Sequence, residues 1–300
     1  MAITKLVLNG TEYEIGSNTY NSYEITTEGP QLYDGRELSE YTWAELSEKS
    51  FNGDFDDLRV GDYKTIITAG TSYWTSQTVK MQIAGINTYY RTCDTQVSYP
   101  HIDWISVDCM SDTVQWNTSN NNNGDSTNAS PYMVSNLYTY LMDSTNGLVA
   151  AVGSSTYGLD GDSHSAGDST DLSSYMVPKR MLMESRYSSS ATLTDSTSWA
   201  WNEIGEVWVP TEYEVFGSVI WGTAGWSSGQ AVQYPIFANG WQHRVKGAGN
   251  GGSRCDWWLA TVRSGNSTYC CRVRGNGHAS SYSASNSLYV PVCFRTGGNT

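Results

Sequence analysis

The sequence predicts an α+β fold built mainly from short strands, and three observations carry that prediction. β-Branched and aromatic residues gather in short runs at Tyr63–Ala69, Thr78–Ile86 and His101–Val107, the composition that suits a pleated, half-buried surface. Helical signals are confined to two or three brief segments with recognisable caps. Long polar connections separate these pieces, and no strand–helix–strand alternation or internal repeat appears, which argues against a parallel βαβ architecture. At 300 residues the chain can bury a sizeable core, as one large domain or as one domain with a small appendage.

Taken in order, Leu6-Val7-Leu8-Asn9-Gly10-Thr11-Glu12-Tyr13-Glu14-Ile15 places an Asn-Gly turn between two alternating runs, the signature of a hairpin. Polar linker chemistry follows through Gly29-Pro30. Residues 1–35 therefore read either as a small attachment module or as an edge hairpin of a domain spanning 36–300. Thr42-Trp43-Ala44-Glu45 forms a capping box, starting a helix that runs to about Lys49. The three strand-like runs come next. Asn117 to Ala129 is a polar loop of low complexity. Ser130-Pro131 then provides a cap and a first-turn proline, with Met133, Val134, Leu137, Tyr138 and Leu141 on one face and Asn146-Gly147 as the stop.

From Gly153 to Ser174 the chain is rich in Ser, Gly and Asp and reads as a surface loop, and Pro178 to Tyr187 reads as a short helix. Trp199-Ala200-Trp201 and Val207-Trp208-Val209 read as strands. Thr211-Glu212-Tyr213-Glu214 is a second capping box, stopped after a single turn by Gly217.

Seventeen Lys and Arg against thirty Asp and Glu give a net charge of −13, which argues against a nucleic-acid or anionic-membrane partner. The N-terminus lacks the charged-then-apolar build of a signal peptide, and no apolar run reaches the roughly 20 residues of a membrane span. The six cysteines, Cys93, Cys109, Cys255, Cys270, Cys271 and Cys293, follow no C-x-x-C spacing. They are expected to stay mostly reduced, as in a bacterial cytoplasm. Adjacent Cys270 and Cys271 on a strand would point to opposite faces.

Motifs for chemistry are sparse. Gly225-Trp226-Ser227-Ser228-Gly229 matches a nucleophile elbow, but Gly222 interrupts the approach and Gln230 to Pro235 is a poor helix, so a glycine-rich loop is expected. Asp160, Asp162, Asp168 and Asp171 supply the oxygens calcium takes, yet their spacing fails the EF-hand pattern. Calcium is the one candidate cofactor, against a solvated acidic loop. His101, His164, His243 and His278 are scattered without metal-ligand spacing. No catalytic residue is assigned.

The C-terminal fifth carries the functional signal. Fixed apolar anchors alternate there with adaptable hydrogen-bonding and stacking residues, the make-up of a recognition surface on a rigid frame. Trp257, Leu259, Val273, Ala284, Val290 and Phe294 are expected to be buried. Arg254, Asp256, Arg263, Asn266, Tyr269, Arg272, Arg274, Asn276, His278, Ser281, Tyr282 and Asn286 are expected to form a mixed polar-aromatic ligand patch, with Tyr and Arg as its strongest contacts. Basic residues on so acidic a chain suggest an anionic or mixed ligand surface.

The order of these elements resembles the C-type-lectin-fold variable proteins of bacteriophages and bacteria, including targets of diversity-generating retroelements. The matching pieces are Phe55-Asp56-Asp57-Leu58-Arg59-Val60-Gly61-Asp62-Tyr63, the segment Tyr132–Leu141, Trp208-Val209-Pro210-Thr211-Glu212-Tyr213-Glu214-Val215-Phe216-Gly217, Trp257-Trp258-Leu259, and an ending through Val273, Gly277, Ala284 and Val290-Pro291-Val292-Cys293-Phe294. They span roughly residues 36–296. The family ending usually reads Gly-Val-Arg-Pro-Ala, where this chain has Leu288-Tyr289-Val290-Pro291-Val292.

The resemblance implies a C-type lectin fold, a variable surface over about 254–287, and adenine-directed diversification. Diversified Asn codons cannot yield Lys, Glu, Gln, Met or Trp, and Arg263 to Ser287 contains none of these; neither does Asp143 to Tyr175. It implies a phage or prophage tail-associated virion protein, assembled in the host cytoplasm and plausibly trimeric. Its partners would be a bacterial surface protein or glycan and other tail proteins. The Glu-Pro-Asn and Gln-Pro-Asp motifs of calcium-dependent sugar binding are absent. Two alternatives come from other classes. One is an enzyme on the related formylglycine-generating-type fold, which uses separated reactive cysteines where this chain has adjacent Cys270 and Cys271. The other is a bacterial surface adhesin, which the missing signal peptide disfavours.

Overall fold

The computed structural model describes residues 35–91, 97–157, 172–187, 189, 198–224 and 232–298, together with four short strands before residue 35. Those strands form two antiparallel hairpins. Lys5–Leu8 pairs with Thr11–Glu14, with Leu8 opposite Thr11, as the Asn-Gly signal predicts. Tyr23–Thr26 pairs with Gly29–Leu32, where the sequence suggested only linker. Tyr-Glu-Ile-Thr is a short alternating, β-prone run, and it finds a partner strand.

The remainder is a mixed α/β structure with antiparallel sheets and few helices. Its central six-stranded sheet runs Val207–Trp208, Pro291–Gly297, His101–Cys109, Thr78–Ile86, Tyr63–Ile67, Thr156–Tyr157. Every pairing in it is antiparallel. A smaller three-stranded sheet holds Trp257–Val262, Tyr269–Val273 and Ala279–Ser283.

The helix Trp43–Asn52 starts on Thr42, whose Oγ1 accepts the Glu45 N–H while Glu45 returns to the Thr42 N–H. It ends on Gly53 at φ +72°, one turn later than predicted. Its buried side chains, Trp43 and Leu46, dock on the central sheet. Trp43 lies edge-on to Trp104 at 4.9 Å and to Phe294 at 5.5 Å between ring centroids. Such pairs add about 0.5–1.5 kcal/mol beyond the area they bury.

Two segments depart from the sequence prediction. The helix expected from Ser130 begins at Asn136 and ends at Met142, with Ser135 as the cap accepting the Tyr138 N–H. Tertiary bonds choose between the two serines: Asn117 Oδ1 takes the Asn136 N–H and the Trp116 carbonyl takes that of Leu137. Ser130 instead donates to Met183 Sδ. After Gly147 a further short helix, Leu148–Gly153, follows where no helix was expected. The expected helix over Pro178–Tyr187 is a strand, Lys179–Glu184, paired antiparallel with Trp199–Gly205. Met-Leu-Met is a good helix former in isolation, but Lys179, Met181 and Met183 bury one side of this strand.

The second capping box is formed as predicted. Thr211 and Glu214 bond reciprocally across the start of Glu212–Phe216, and Gly217 closes the turn at φ +70°. Thr211→Ala is expected to cost about 1 kcal/mol, read as a lower midpoint in urea unfolding.

Candidate functional site

The C-terminal frame is anchored as predicted: Trp257, Leu259, Val273, Ala284, Val290 and Phe294 are all fully buried. Buried indoles fix the strand Trp257–Val262 to its surroundings. Trp257 Nε1 donates to the Arg244 carbonyl at 3.0 Å and Trp258 Nε1 to the Val114 carbonyl at 2.9 Å. A third indole bond comes from Trp116 Nε1 to the Leu259 carbonyl.

The twelve candidate residues do not form one continuous patch. Side chains opposite one another in an antiparallel pair share a face, and neighbours along a strand alternate. Arg272 lies opposite Ser280 and Cys270 opposite Tyr282, whereas Tyr269 lies opposite Ser283 and Cys271 opposite Ser281. Arg272 and Tyr282 therefore occupy one face, and Tyr269 and Ser281 the other.

On the first face, Asp256, Arg272 and Tyr282 form a stack. Arg272 Nη1 bonds Asp256 Oδ2 at 2.5 Å, and its guanidinium lies 4.1 Å from the Tyr282 ring centroid. Asp256 Oδ1 also takes the Gly275 N–H. Arg272 is only 8% exposed and Tyr282 36%. The pair thus props the tyrosine ring toward solvent, a favourable cation–π arrangement.

On the opposite face, the Arg263 guanidinium lies between Trp221 at 4.8 Å and Tyr269 at 5.5 Å, and donates to Ser281 Oγ. Ile220 and Trp221, which the sequence did not single out, add exposed apolar surface here. Arg254, Arg274, Asn276 and His278 are exposed on a third region, at and beside the turn after Val273. There the Arg274 N–H donates to the His278 carbonyl and the Gly277 N–H returns to that of Arg274. Gly277 sits at φ +81° against Val245 and the carbonyl of Trp241, so a side chain here would be strained as well as crowded. Trp241 is 62% exposed beside this turn.

Asn266 and Asn286 are builders of turns. Asn266 Oδ1 accepts from the N–H groups of Thr268 and Tyr269 and from the Thr268 hydroxyl. The Asn286 N–H closes onto the Ser283 carbonyl.

Two supports of this surface were not legible in the sequence. Asn122, fully buried within the supposed polar loop, donates through Nδ2 to the carbonyls of Asn266 and Tyr269. Arg186, also fully buried, donates to the carbonyls of Arg263 and Asn266, and pairs with Glu184 at 3.0 Å. Together they hold the 263–269 loop by its backbone, from behind, beside the turn that the Asn266 side chain makes. The run of Asn residues was the only available signal, and alone it reads as an ordinary loop.

Cys109, Cys255, Cys270, Cys271 and Cys293 are buried free thiols. Burial raises the thiols of Cys109, Cys270, Cys271 and Cys293 above the usual cysteine range, which suppresses the nucleophilic thiolate. Among the described residues no group of three or more His, Cys, Asp and Glu could hold a metal ion, and no helix is long and apolar enough to cross a membrane. The Asp160–Asp171 cluster, the Gly225–Gly229 motif, Cys93 and His164 lie outside the described residues. No family model, no curated protein and no solved structure matches the chain.

Proposed function

We propose that this chain is a phage or prophage virion protein with a C-type lectin fold, which binds a bacterial cell-surface receptor through the surface built on residues 254–287. One observation carries the reading. Arg254, Arg274, Asn276, His278 and Tyr282 are exposed, on turns and an edge strand, above a frame whose anchors are fully buried. Such a surface can change its side chains without changing its backbone.

The receptor is a bacterial surface protein or glycan with anionic or mixed character, matched to the exposed Arg254 and Arg274 on an acidic chain. The protein acts by binding, without catalytic turnover. Attachment to other tail proteins, in a trimeric assembly, raises weak single-site affinity through multivalency.

The test is binding of the purified protein to intact cells of candidate hosts, beside a variant with Arg254, Arg274, His278 and Tyr282 all changed to Ala. Arg272 is left in place because its truncation would strand Asp256 and disturb the fold. Loss of selective binding in a variant with an unaltered thermal melt is the expected result. Equal binding by both proteins refutes the assignment of the receptor surface.

A further inference from the structure

A second site lies away from the C-terminal turns. A cleft opens between the Lys179–Glu184/Trp199–Gly205 hairpin and the Glu212–Phe216 turn. A second lobe shares Leu182, Trp199, Thr211, Thr223 and Thr261 with it. The two are one elongated groove.

Its lining has a definite chemistry. Trp199 and Trp201 are two residues apart on one strand, so their indoles share a face. Leu182 lies opposite Trp201 in the ladder, and the Arg180 guanidinium sits 5.6 Å from the Trp201 ring centroid. Facing them are the hydroxyl-bearing residues Thr211, Thr223 and Thr261.

The charges near the floor are satisfied within the protein. The Glu212 carboxylate accepts the N–H groups of Ile220, Trp221 and Gly222 at 2.9–3.0 Å. Glu214 is engaged by Lys179, by the Tyr89 hydroxyl and by Thr211. Glu184 pairs with Arg186. Thr211 is committed to Glu214 and Thr223 accepts from Arg186, while Thr261 accepts the Glu212 N–H and retains its own O–H to donate. The groove therefore offers flat aromatic surface and a donor hydroxyl at Thr261, with little uncommitted charge.

We propose that this groove binds a neutral oligosaccharide of at least two rings. A sugar ring has an apolar C–H face that stacks on an indole and a rim of hydroxyls that bonds to the Thr261 hydroxyl and to a guanidinium. An anionic ligand would meet the Glu184, Glu212 and Glu214 carboxylates, and a cationic one the Arg180 guanidinium. An added peptide strand needs a free strand edge, whereas the groove is lined by the hairpin's side-chain face. The site rests mainly on residues 180–223, so it stands or falls separately from the receptor surface proposed above.

The test titrates the full chain with maltotriose, cellotriose and chitotriose by saturation-transfer NMR and calorimetry, with trigalacturonate and a blocked trialanine as comparisons. The expected result is saturable binding of at least one neutral trisaccharide at about 1 mM or tighter. Affinity falls roughly tenfold in Trp199→Ala and in Trp201→Ala and is unchanged in Arg274→Ala and Tyr282→Ala.

Should either tryptophan variant lose its cooperative melt, the wild-type indole N–H resonances, assigned through Trp199→Phe and Trp201→Phe, give the answer. Shifts at those two indoles on adding sugar support the site, and shifts confined to other indoles overturn it. The proposal is equally overturned by the absence of saturable binding, by preference for trigalacturonate or trialanine, or by dependence on Tyr282 in place of the two tryptophans.

Discussion

Arg295→Met is expected to lower the unfolding free energy by about 3–5 kcal/mol, the largest single-residue effect predicted here. Arg295 and Asp103 face each other on adjacent central strands, both essentially without solvent exposure. Arg295 Nε donates to Asp103 Oδ1 at 2.8 Å, and Nη2 to Oδ2 at 3.2 Å. The guanidinium holds the Asp103 carboxyl below the usual carboxylate range against the opposing effect of burial.

Removing the arginine leaves a carboxylate in the centre of the sheet without its two-point partner, with the neutral His101 ring and the more weakly acting Lys179 charge remaining near it. Replacing both partners, as Asp103→Leu with Arg295→Met, removes the stranded charge and recovers much of the loss. Urea unfolding of the single and double variants checks both statements. A single variant within about 1 kcal/mol of wild type would show that the desolvation argument is misapplied here.

The second large effect is a loss of stability on acidification, centred on His101. Its Nδ1 lies 3.1 Å from the Tyr99 carbonyl and its Nε2 accepts the Tyr89 N–H at 3.2 Å, the pattern of a neutral ring protonated on Nδ1. Burial, and next the Arg295 charge, push its pKa down to about 4 from 6.5. In the unfolded chain the ring protonates near 6.5, so between pH 6.5 and 4 the unfolded state binds a proton that the fold does not.

Stability contributed by this group is whole above pH 6.5 and falls by about 3 kcal/mol as the pH drops to 4. Asp103 acts lower on the scale. Its contribution is present above the ordinary carboxylate pKa and disappears as the pH falls through its depressed folded value. Denaturant midpoints measured from pH 7.5 to 4 should show the slope, and His101→Gln should flatten it whatever its effect on absolute stability. An unchanged slope in that variant would assign the acid sensitivity elsewhere.

How much could be read in advance depends on the range of the interaction. The two capping boxes, Thr42 with Glu45 and Thr211 with Glu214, and the glycines that stop both helices act within one turn, so they are written in adjacent letters. The strands Tyr63–Ile67, Thr78–Ile86 and His101–Cys109 showed themselves through β-branched and aromatic runs. The six apolar anchors of the C-terminal frame were visible for a similar reason: large apolar residues standing among Ser, Asn and Gly have few places to go but the core.

The candidate patch was legible as composition but not as geometry. Its Tyr, Arg and His residues were identifiable. Yet only the register of Tyr269–Val273 against Ala279–Ser283 places Tyr282 and Tyr269 on opposite faces, because a shift of one residue would exchange them. Arg272 looked like a contact residue and is buried beneath Tyr282. Asn266 looked like one too, and its side-chain oxygen is committed to its own turn.

By itself, then, the sequence determined the α+β class, the caps, the central strands, and which apolar residues hold the C-terminal segment. Each of these follows from local periodicity or from the cost of exposing apolar surface. Tertiary structure alone decided that Ser135 rather than Ser130 caps a helix, and that Lys179–Glu184 is a strand. It also decided that Asn122 and Arg186 carry the 263–269 loop from behind, and that Trp199 and Trp201 face a groove. Those outcomes depend on partners from 15 residues away (Glu184 to Trp199) to 147 (Asn122 to Tyr269), and a hydrogen bond or strand pairing across that distance leaves no mark on the letters beside it.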